Sequence, residues 1–266
     1  MTDGLPSFTT LAVRRDGDLL FVTLNQPERA NALSPAMVAE LTALYRRPLR
    51  EDGVRAVLLD AAGKHFSGGA DLEHLAKLKD ATPLEHQLES RKLRDLFESI
   101  LRQEALTVGL VQGSCVAGGC GLATAQDFVV AAEDARFLYS EVRIGFVAAL
   151  VATYLPLRLR GSDIRELLLN PEFVGAERAR EIGLVNRVAP RAELAAAGLE
   201  FATGILERAS GESIAATKGL LLHVLGRPIE DALLAASEVN AAARSTADCQ
   251  RGVAHFLEHK ASPKWR

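Results

Sequence analysis

The chain has 266 residues, 48% hydrophobic and 24% charged, the composition of a globular protein with one large domain and an appendage and not of a disordered chain. A formal net charge of −3 lacks the basic excess expected where a nucleic acid is the main ligand. Three cysteines without a CxxC spacing, no charged-then-apolar leader in the first residues, and no run of roughly 18 apolar residues favour a reducing cytoplasm over export or a membrane.

Residues 8–14 and 18–24 read as two strands around Asp16-Gly17, an opening hairpin. Ser34 is placed to cap a helix that begins at Pro35, with Met37, Val38, Leu41, Leu44 and Tyr45 on one face. Residues 54–60 and 107–112 are short, nearly continuous apolar runs, the pattern of strands buried on both faces. Between them, Leu88, Leu93, Leu96, Phe97 and Ile100 suggest a longer amphipathic helix. Further strands are expected at 128–132 and 184–188, with helical segments at 151–159 and 176–181, so the order is α/β. Strand, glycine turn and helix recur loosely around Gly63, Gly113 and Gly145. After Pro190 only helical stretches follow, at 192–208, 213–225, 229–243 and 248–260, which places a boundary near residue 200 between a core of 1–199 and a helical region of 200–266.

Two glycine-rich stretches follow buried strands: Lys64-His65-Phe66-Ser67-Gly68-Gly69-Ala70-Asp71-Leu72 and Gly113-Ser114-Cys115-Val116-Ala117-Gly118-Gly119-Cys120-Gly121-Leu122. Small residues in strand-to-helix turns let a ligand approach the backbone, and the free N–H groups at the following helix start point toward it. Two such turns side by side could aim two donors at one oxygen. On a thioester that oxygen becomes negative when a proton leaves or joins the neighbouring carbon, and each preorganised donor is then worth about 3–4 kcal/mol. Either stretch alone could also be a plain turn. The nucleotide fingerprints fail: His65 follows Gly63-Lys64 where a P-loop needs Ser or Thr, Leu58 stands at its first glycine, and Thr124 stands at the third small position of a dinucleotide motif.

From end to end the chain resembles the enoyl-CoA hydratase/isomerase, or crotonase, superfamily. The resemblance rests on Asn25-Gln26-Pro27 leading to Asn31-Ala32-Leu33-Ser34, on Gly63-Lys64-x-Phe66-Ser67-x-Gly69-Ala70-Asp71-Leu72, and on Val116-Ala117-Gly118-Gly119 with Asp127. Ala135-Arg136-Phe137 with Glu141, and AERAREIGLVNRV from Ala176 to Val188, follow in register. It implies a spiral of ββα units, a C-terminal helical region that mediates a homotrimer or a dimer of trimers, and coenzyme A bound as part of the substrate, with no tightly bound cofactor. It also implies that the backbone N–H groups of Ala70 and Gly118 are the oxyanion donors. Adenine and pantetheine contacts would fall near Arg29, Ala30, Gly68, Ala70, Asp71 and Leu72, with Arg29 either meeting a phosphate or simply solvated. Lys260 and Lys264 could reach a neighbouring subunit's coenzyme A or be solvated tail charges.

Hydratases of this family use two glutamates, and the chain keeps one. Gly121 stands where the first would be, and Glu141 matches the second. The apolar segment around Ile144-Gly145 suggests a shielded site for Glu141, whose alternative is a surface carboxylate. One glutamate suffices for a 1,3-proton shift. Hydration also needs a water over the β-carbon, held by Glu141 alone, with Tyr139, or with a side chain from residues 72–86. The chain also resembles members with the same glycine-bearing turn and the same GFVAAL stretch at 145–150 that are described as hydratases, so the reading is hydratase first, Δ3-Δ2 isomerase second, with a silent acyl-CoA-binding protein as the alternative of another class. Gly121→Glu would restore the missing position, at the cost of strain in a turn chosen for glycine. The six histidines show no metal-ligand spacing, His65 is expected to face away from the site, and Cys120 is expected to be a packed thiol.

Overall fold

The computed structural model describes residues 6–266. Its strands are β1 (Leu11–Asp16), β2 (Leu19–Leu24), β3 (Ala56–Ala61), β4 (Leu106–Val111), β5 (Ser114–Val116), β6 (Phe128–Ala132), β7 (Arg136–Leu138), β8 (Val174–Gly175) and β9 (Arg187–Ala189). The helices are α1 (Pro35–Tyr45), α2 (Leu72–Lys77), α3 (Pro83–Leu101), α4 (Gly118–Thr124), α5 (Val151–Tyr154), α6 (Gly161–Leu169), α7 (Ala176–Glu181), α8 (Leu194–Arg208), α9 (Gly211–Val224), α10 (Ile229–Arg244) and α11 (Ala247–His259). A six-stranded sheet runs in the order β1-β2-β3-β4-β6-β9. Only the β1–β2 hairpin in it is antiparallel, and Gly17 turns that hairpin at φ +58°. The Ser34 hydroxyl accepts from the Met37 N–H at 3.3 Å, and the buried face of α1 is the expected one.

The main sheet is buried on both sides. Val57 and Leu59 of β3 pack with α1 and α3, while Ala56 and Leu58 face Leu194, Ala202 and Leu206 of α8. This alternation within a continuous apolar run is why β3 and β4 carry no polar face. It also fixes the polarity of the fold, because the parallel strands β3 and β4 deliver both glycine-rich turns to the same edge of the sheet.

Several expectations shift. The strand expected at 184–188 forms at Arg187–Ala189, because the Leu184 and Val185 N–H groups both return to Ala179 O and close α7. The helix expected at 151–159 stops at Tyr154 and continues as a 3-10 turn, Leu155–Leu157, around Pro156, which has no N–H to donate. α6 and a second, three-stranded sheet, β5-β7-β8, have no counterpart in the sequence reading; strands of two or three residues are too short to show a period. The proposed boundary at 199/200 falls inside α8, whose buried face belongs to the core, so the break comes after Arg208. Beyond it, no residue of α9, α10 or α11 is buried.

Ile214 of α9 packs against the face of the sheet that α8 covers, and polar ties add to it. Lys218 of α9 bonds Asp127 at 2.6 Å and Ala105 O at 2.7 Å, and burial lowers its pKa against the opposing pull of Asp127. At the C-terminus, Trp265 N–H donates to Glu207 O and Arg266 pairs with Asp18. Asp18 precedes β2, so the tail next to Lys264 is anchored at the sheet edge opposite the glycine-rich turns.

Candidate active site

The turns after β3 and β4 are stitched to each other and to the loop before α1. Asn31 Nδ2 donates to Ala62 O and His65 O, while its Oδ1 accepts from Gln26 N–H. Ser67 Oγ donates to Asn31 O at 2.8 Å and accepts from Gly69 N–H at 3.2 Å. Ser67 also bridges to Cys115, through Val116 N–H to Ser67 O at 2.9 Å. The His65 ring is held at the start of the second glycine-rich stretch: its Nδ1 accepts from Ser114 N–H at 3.1 Å, and burial and neighbouring cations lower its pKa.

This stitching presses the turns together at Gly69 and Gly118. Gly69 has φ +86°, and a methyl group there would meet Val116 O at 2.6 Å and Gly118 N at 3.3 Å, so only glycine fits. A methyl on Gly118 would lie 3.9 Å from Ala70 N and 3.1 Å from Leu33 Cδ1. Ala117, which precedes α4, is held at φ 47°, ψ −119°, a conformation unusual for a residue with a side chain, by its N–H bond to Leu138 O at 2.7 Å. Among the described residues, no protein acceptor takes up the N–H of Ala70 or of Gly118. Two free donors thus sit beside one another at the junction.

The other residues singled out from the sequence gather on one rim. Gly68 N–H donates to Ala30 O at 2.8 Å, and Asp71 caps α2 by accepting from Glu73 N–H and His74 N–H, which leaves Leu72 exposed at the helix start. Arg29 Nη2 bonds Asp71 at 3.1 Å and Glu73 at 3.0 Å, and the side chain stays 40% exposed. It clamps the first loop to the first glycine-rich turn.

Glu141 opens a 3-10 turn, Glu141–Ile144, and is half-buried. Its Oε2 is buried with no hydrogen-bond partner, and desolvation raises its pKa above the ordinary carboxylate value. The shielding does not come from the apolar stretch that follows, since Ile144, Phe146 and Val147 are exposed. Tyr139, a candidate for holding water, is 1% exposed in the core, and Cys120 is a packed thiol donating to Cys115 O at 2.9 Å. Gly121 is no turn residue. It lies inside α4, and a methyl group on it would meet Phe97 Cζ and Val151 Cγ1 at 2.8 Å and Tyr154 Oη at 3.1 Å. Asn31, Ser67, Ala117 and Tyr154 were missed as site residues. Asn31 and Ser67 lie in segments already singled out, and the glycine at 121 was the only hint that a large neighbour fills its place.

The family model described as enoyl-CoA hydratase/isomerase matches residues 14–266. A Thermus thermophilus protein provisionally named enoyl-CoA hydratase is 40% identical over 247 residues, 92% of this chain and 96% of its own. The short-chain-enoyl-CoA hydratase of Clostridium acetobutylicum is 28% identical over 254 residues, 93% of this chain and 94% of that one. The crystal structure of an enoyl-CoA hydratase from Mycobacterium smegmatis superposes with a TM-score of 0.88 at 30% identity, covering 97% of this chain and 99% of that one. The chain belongs to the enoyl-CoA hydratase/isomerase family and has the crotonase fold. It is an enzyme family that works on coenzyme A thioesters.

Proposed function

We propose that this protein is an enoyl-CoA hydratase, converting a 2-enoyl-CoA to the 3-hydroxyacyl-CoA with Glu141 as its one proton-transferring carboxylate. The observation that carries the reading is the pair of unpaired N–H groups at Ala70 and Gly118, with an unpartnered carboxylate oxygen at Glu141. The thioester oxygen lies between the two N–H groups, which stabilise the negative charge that develops there. Water adds its oxygen to the β-carbon and gives one proton to ionised Glu141, while the double-bond electrons move onto the thioester oxygen. Protonated Glu141 then returns that proton to the α-carbon. The raised pKa of a desolvated carboxylate suits a group that must both take and give a proton near neutrality.

The coenzyme A portion, bound as part of the substrate, runs along the rim of Arg29, Ala30, Gly68, Ala70, Asp71 and Leu72, with the half-exposed Arg29 at its edge. No other cofactor enters the reaction as written. The single carboxylate also supports a second reading, a Δ3-Δ2 enoyl-CoA isomerase, since a 1,3-proton shift needs no water. A panel of 2-enoyl-CoA esters incubated with the protein is expected to gain the mass of one water. Turnover confined to 3-enoyl-CoA esters, without a change in mass, would select the isomerase. Calorimetry is expected to show binding of crotonyl-CoA but not of NAD or duplex DNA; no exchange of the α-proton of an acyl-CoA in deuterated water would leave only a silent binder.

We place the assembly as a homotrimer or dimer of trimers. Leu221, Leu225, Leu233, Leu234, Phe256 and Leu257 all lie open on the three helices after Arg208, and symmetric closure would bury them. Sedimentation at micromolar concentration is expected to give a trimer or hexamer, and a stable monomer would refute it. A cytoplasmic location is supported by the three free thiols. No helix among the described residues is long and apolar enough to cross a membrane.

A further inference from the structure

The rungs that join the two glycine-rich stretches follow a parallel register. Ser67 N–H donates to Ser114 O at 3.4 Å, and Val116 N–H donates to Ser67 O at 2.9 Å. Two residues earlier the same register would pair Ser114 N–H with His65 O, and there it is broken. The His65 carbonyl accepts from Asn31 Nδ2 at 3.1 Å, and the ring of the same residue takes the rung, its Nδ1 accepting from Ser114 N–H at 3.1 Å. A backbone N–H can only donate, so this rung exists only while Nδ1 carries no proton. The two chains touch at this point: a methyl group on Gly113 would stand 2.2 Å from Lys64 O and 3.0 Å from His65 Nδ1. Charges surround the ring. Arg136 of β7 donates through Nε to the Ser114 hydroxyl at 3.0 Å, while Arg191 donates to Lys64 O at 3.1 Å and pairs with Asp134. With Lys64 these make three cations against one carboxylate, and burial followed by these cations lowers the pKa of His65.

We infer that His65 is a positioning residue of the oxyanion pair: its neutral imidazole supplies the rung that sets the second glycine-rich stretch against the first, and with it the spacing of the Ala70 and Gly118 N–H groups. The inference rests on the reading of that pair as the thioester-oxygen site and adds an acid limit to it. From the His65–Ser114 rung, the Ser67–Val116 rung and the close approach of Gly69 to Val116 and Gly118 carry the register up to the two donors. A proton on Nδ1 turns the acceptor into a second donor facing Ser114 N–H, and the rung opens. A histidine whose folded-state pKa lies below the ordinary value of 6.5 keeps its contribution to stability above that value and loses it as pH falls through the folded one. The oxyanion pair is therefore set at neutrality and loosened in acid.

Two substitutions separate the acceptor from the rest of the ring. His65→Asn offers an amide oxygen in place of Nδ1 and does not titrate, while His65→Phe fills the space without an acceptor. With butyryl-CoA in deuterated water near neutrality, α-proton exchange is expected to fall by about tenfold to a hundredfold in His65→Phe, the scale for misplacing a reacting group, and to stay within about threefold of wild type in His65→Asn. Acid sensitivity is read where Glu141 cannot titrate. In Glu141→Gln, the infrared carbonyl stretch of bound crotonyl-CoA, lowered by the two N–H donors, is expected to return toward that of the free thioester as pH falls below 6.5. In the double variant Glu141→Gln, His65→Asn it is expected to stay in place. A stretch that titrates alike in both proteins, a His65→Phe that exchanges at the wild-type rate, or a His65→Asn as slow as His65→Phe would each overturn the assignment. Should His65→Phe fail to fold, the pH comparison decides alone. If bound crotonyl-CoA shows no lowered stretch and the wild type exchanges no α-proton, the thioester-oxygen site is misread and the role of His65 falls with it; an exchanging wild type matched by His65→Phe removes His65 alone.

Discussion

Replacing Glu141 with Gln is expected to lower both hydration and α-proton exchange by at least about a hundredfold, the usual worth of a general base, while crotonyl-CoA still binds. The amide keeps the shape of the carboxylate and removes its ability to accept a proton. The same substitution has a predictable effect on stability. A carboxyl whose folded-state pKa is raised above its unfolded value contributes stability that is fully present below the unfolded pKa and is lost as pH rises through the folded one. Glu141 is such a group, raised by desolvation with no partner for Oε2. Thermal melts of wild type and Glu141→Gln should therefore coincide in acid and separate as the pH rises, with the variant the more stable. The acid limb of wild-type kcat/KM should lie above the ordinary carboxylate value of 4.5. Undiminished exchange in the variant would remove Glu141 from the mechanism. A variant less stable than wild type at neutral pH would mean that its carboxylate has a partner the geometry does not contain.

Gly121→Glu is expected to unfold the site and to leave hydration no faster. From the sequence this change looked like the restoration of a missing glutamate, at some cost in strain. The structure reverses that expectation. Position 121 faces Phe97, Val151 and Tyr154, and even a methyl group would meet two of them at 2.8 Å. Overpacking of this kind costs about 1–3 kcal/mol, and a carboxylate buried among apolar side chains adds to it, so a loss of ~3 kcal/mol or more is expected. Gly121→Ala should fall between wild type and Gly121→Glu, because it meets the same atoms without the charge. Melting curves check the order, and crotonyl-CoA hydration checks the chemistry. A Gly121→Glu protein that melts with the wild type and hydrates faster would show that the wall behind α4 opens to water.

The sequence was most informative where chemistry and backbone needs are local. The hairpin at Gly17, the Ser34 cap and the buried face of α1 follow from turn and helix rules acting within a few residues. The two glycine-rich turns were legible for the same reason, since a close backbone approach leaves glycine as its mark, as at Gly69. Resemblance to the family supplied the pairing of Ala70 with Gly118, which no spacing rule contains. The short second sheet stayed hidden, because strands of three residues carry no periodicity of their own and form only when β5 finds β7. The reach of α8 across the expected boundary was hidden as well, since an alanine-rich helix reads alike whether it covers a sheet or stands apart.

At the site, the sequence by itself determined which groups are available: small residues in two strand-to-helix turns, one glutamate after Phe137, and no carboxylate at 121. The tertiary structure decided what each can do. It occupied Arg29 with Asp71 and Glu73, sent Tyr139 into the core and left one oxygen of Glu141 buried without a partner. It also set Tyr154 against Gly121 from a helix that lies 33 residues further along the chain. Composition and motifs record the chemistry of each side chain, but desolvation, free hydrogen-bonding capacity and distance exist only between residues.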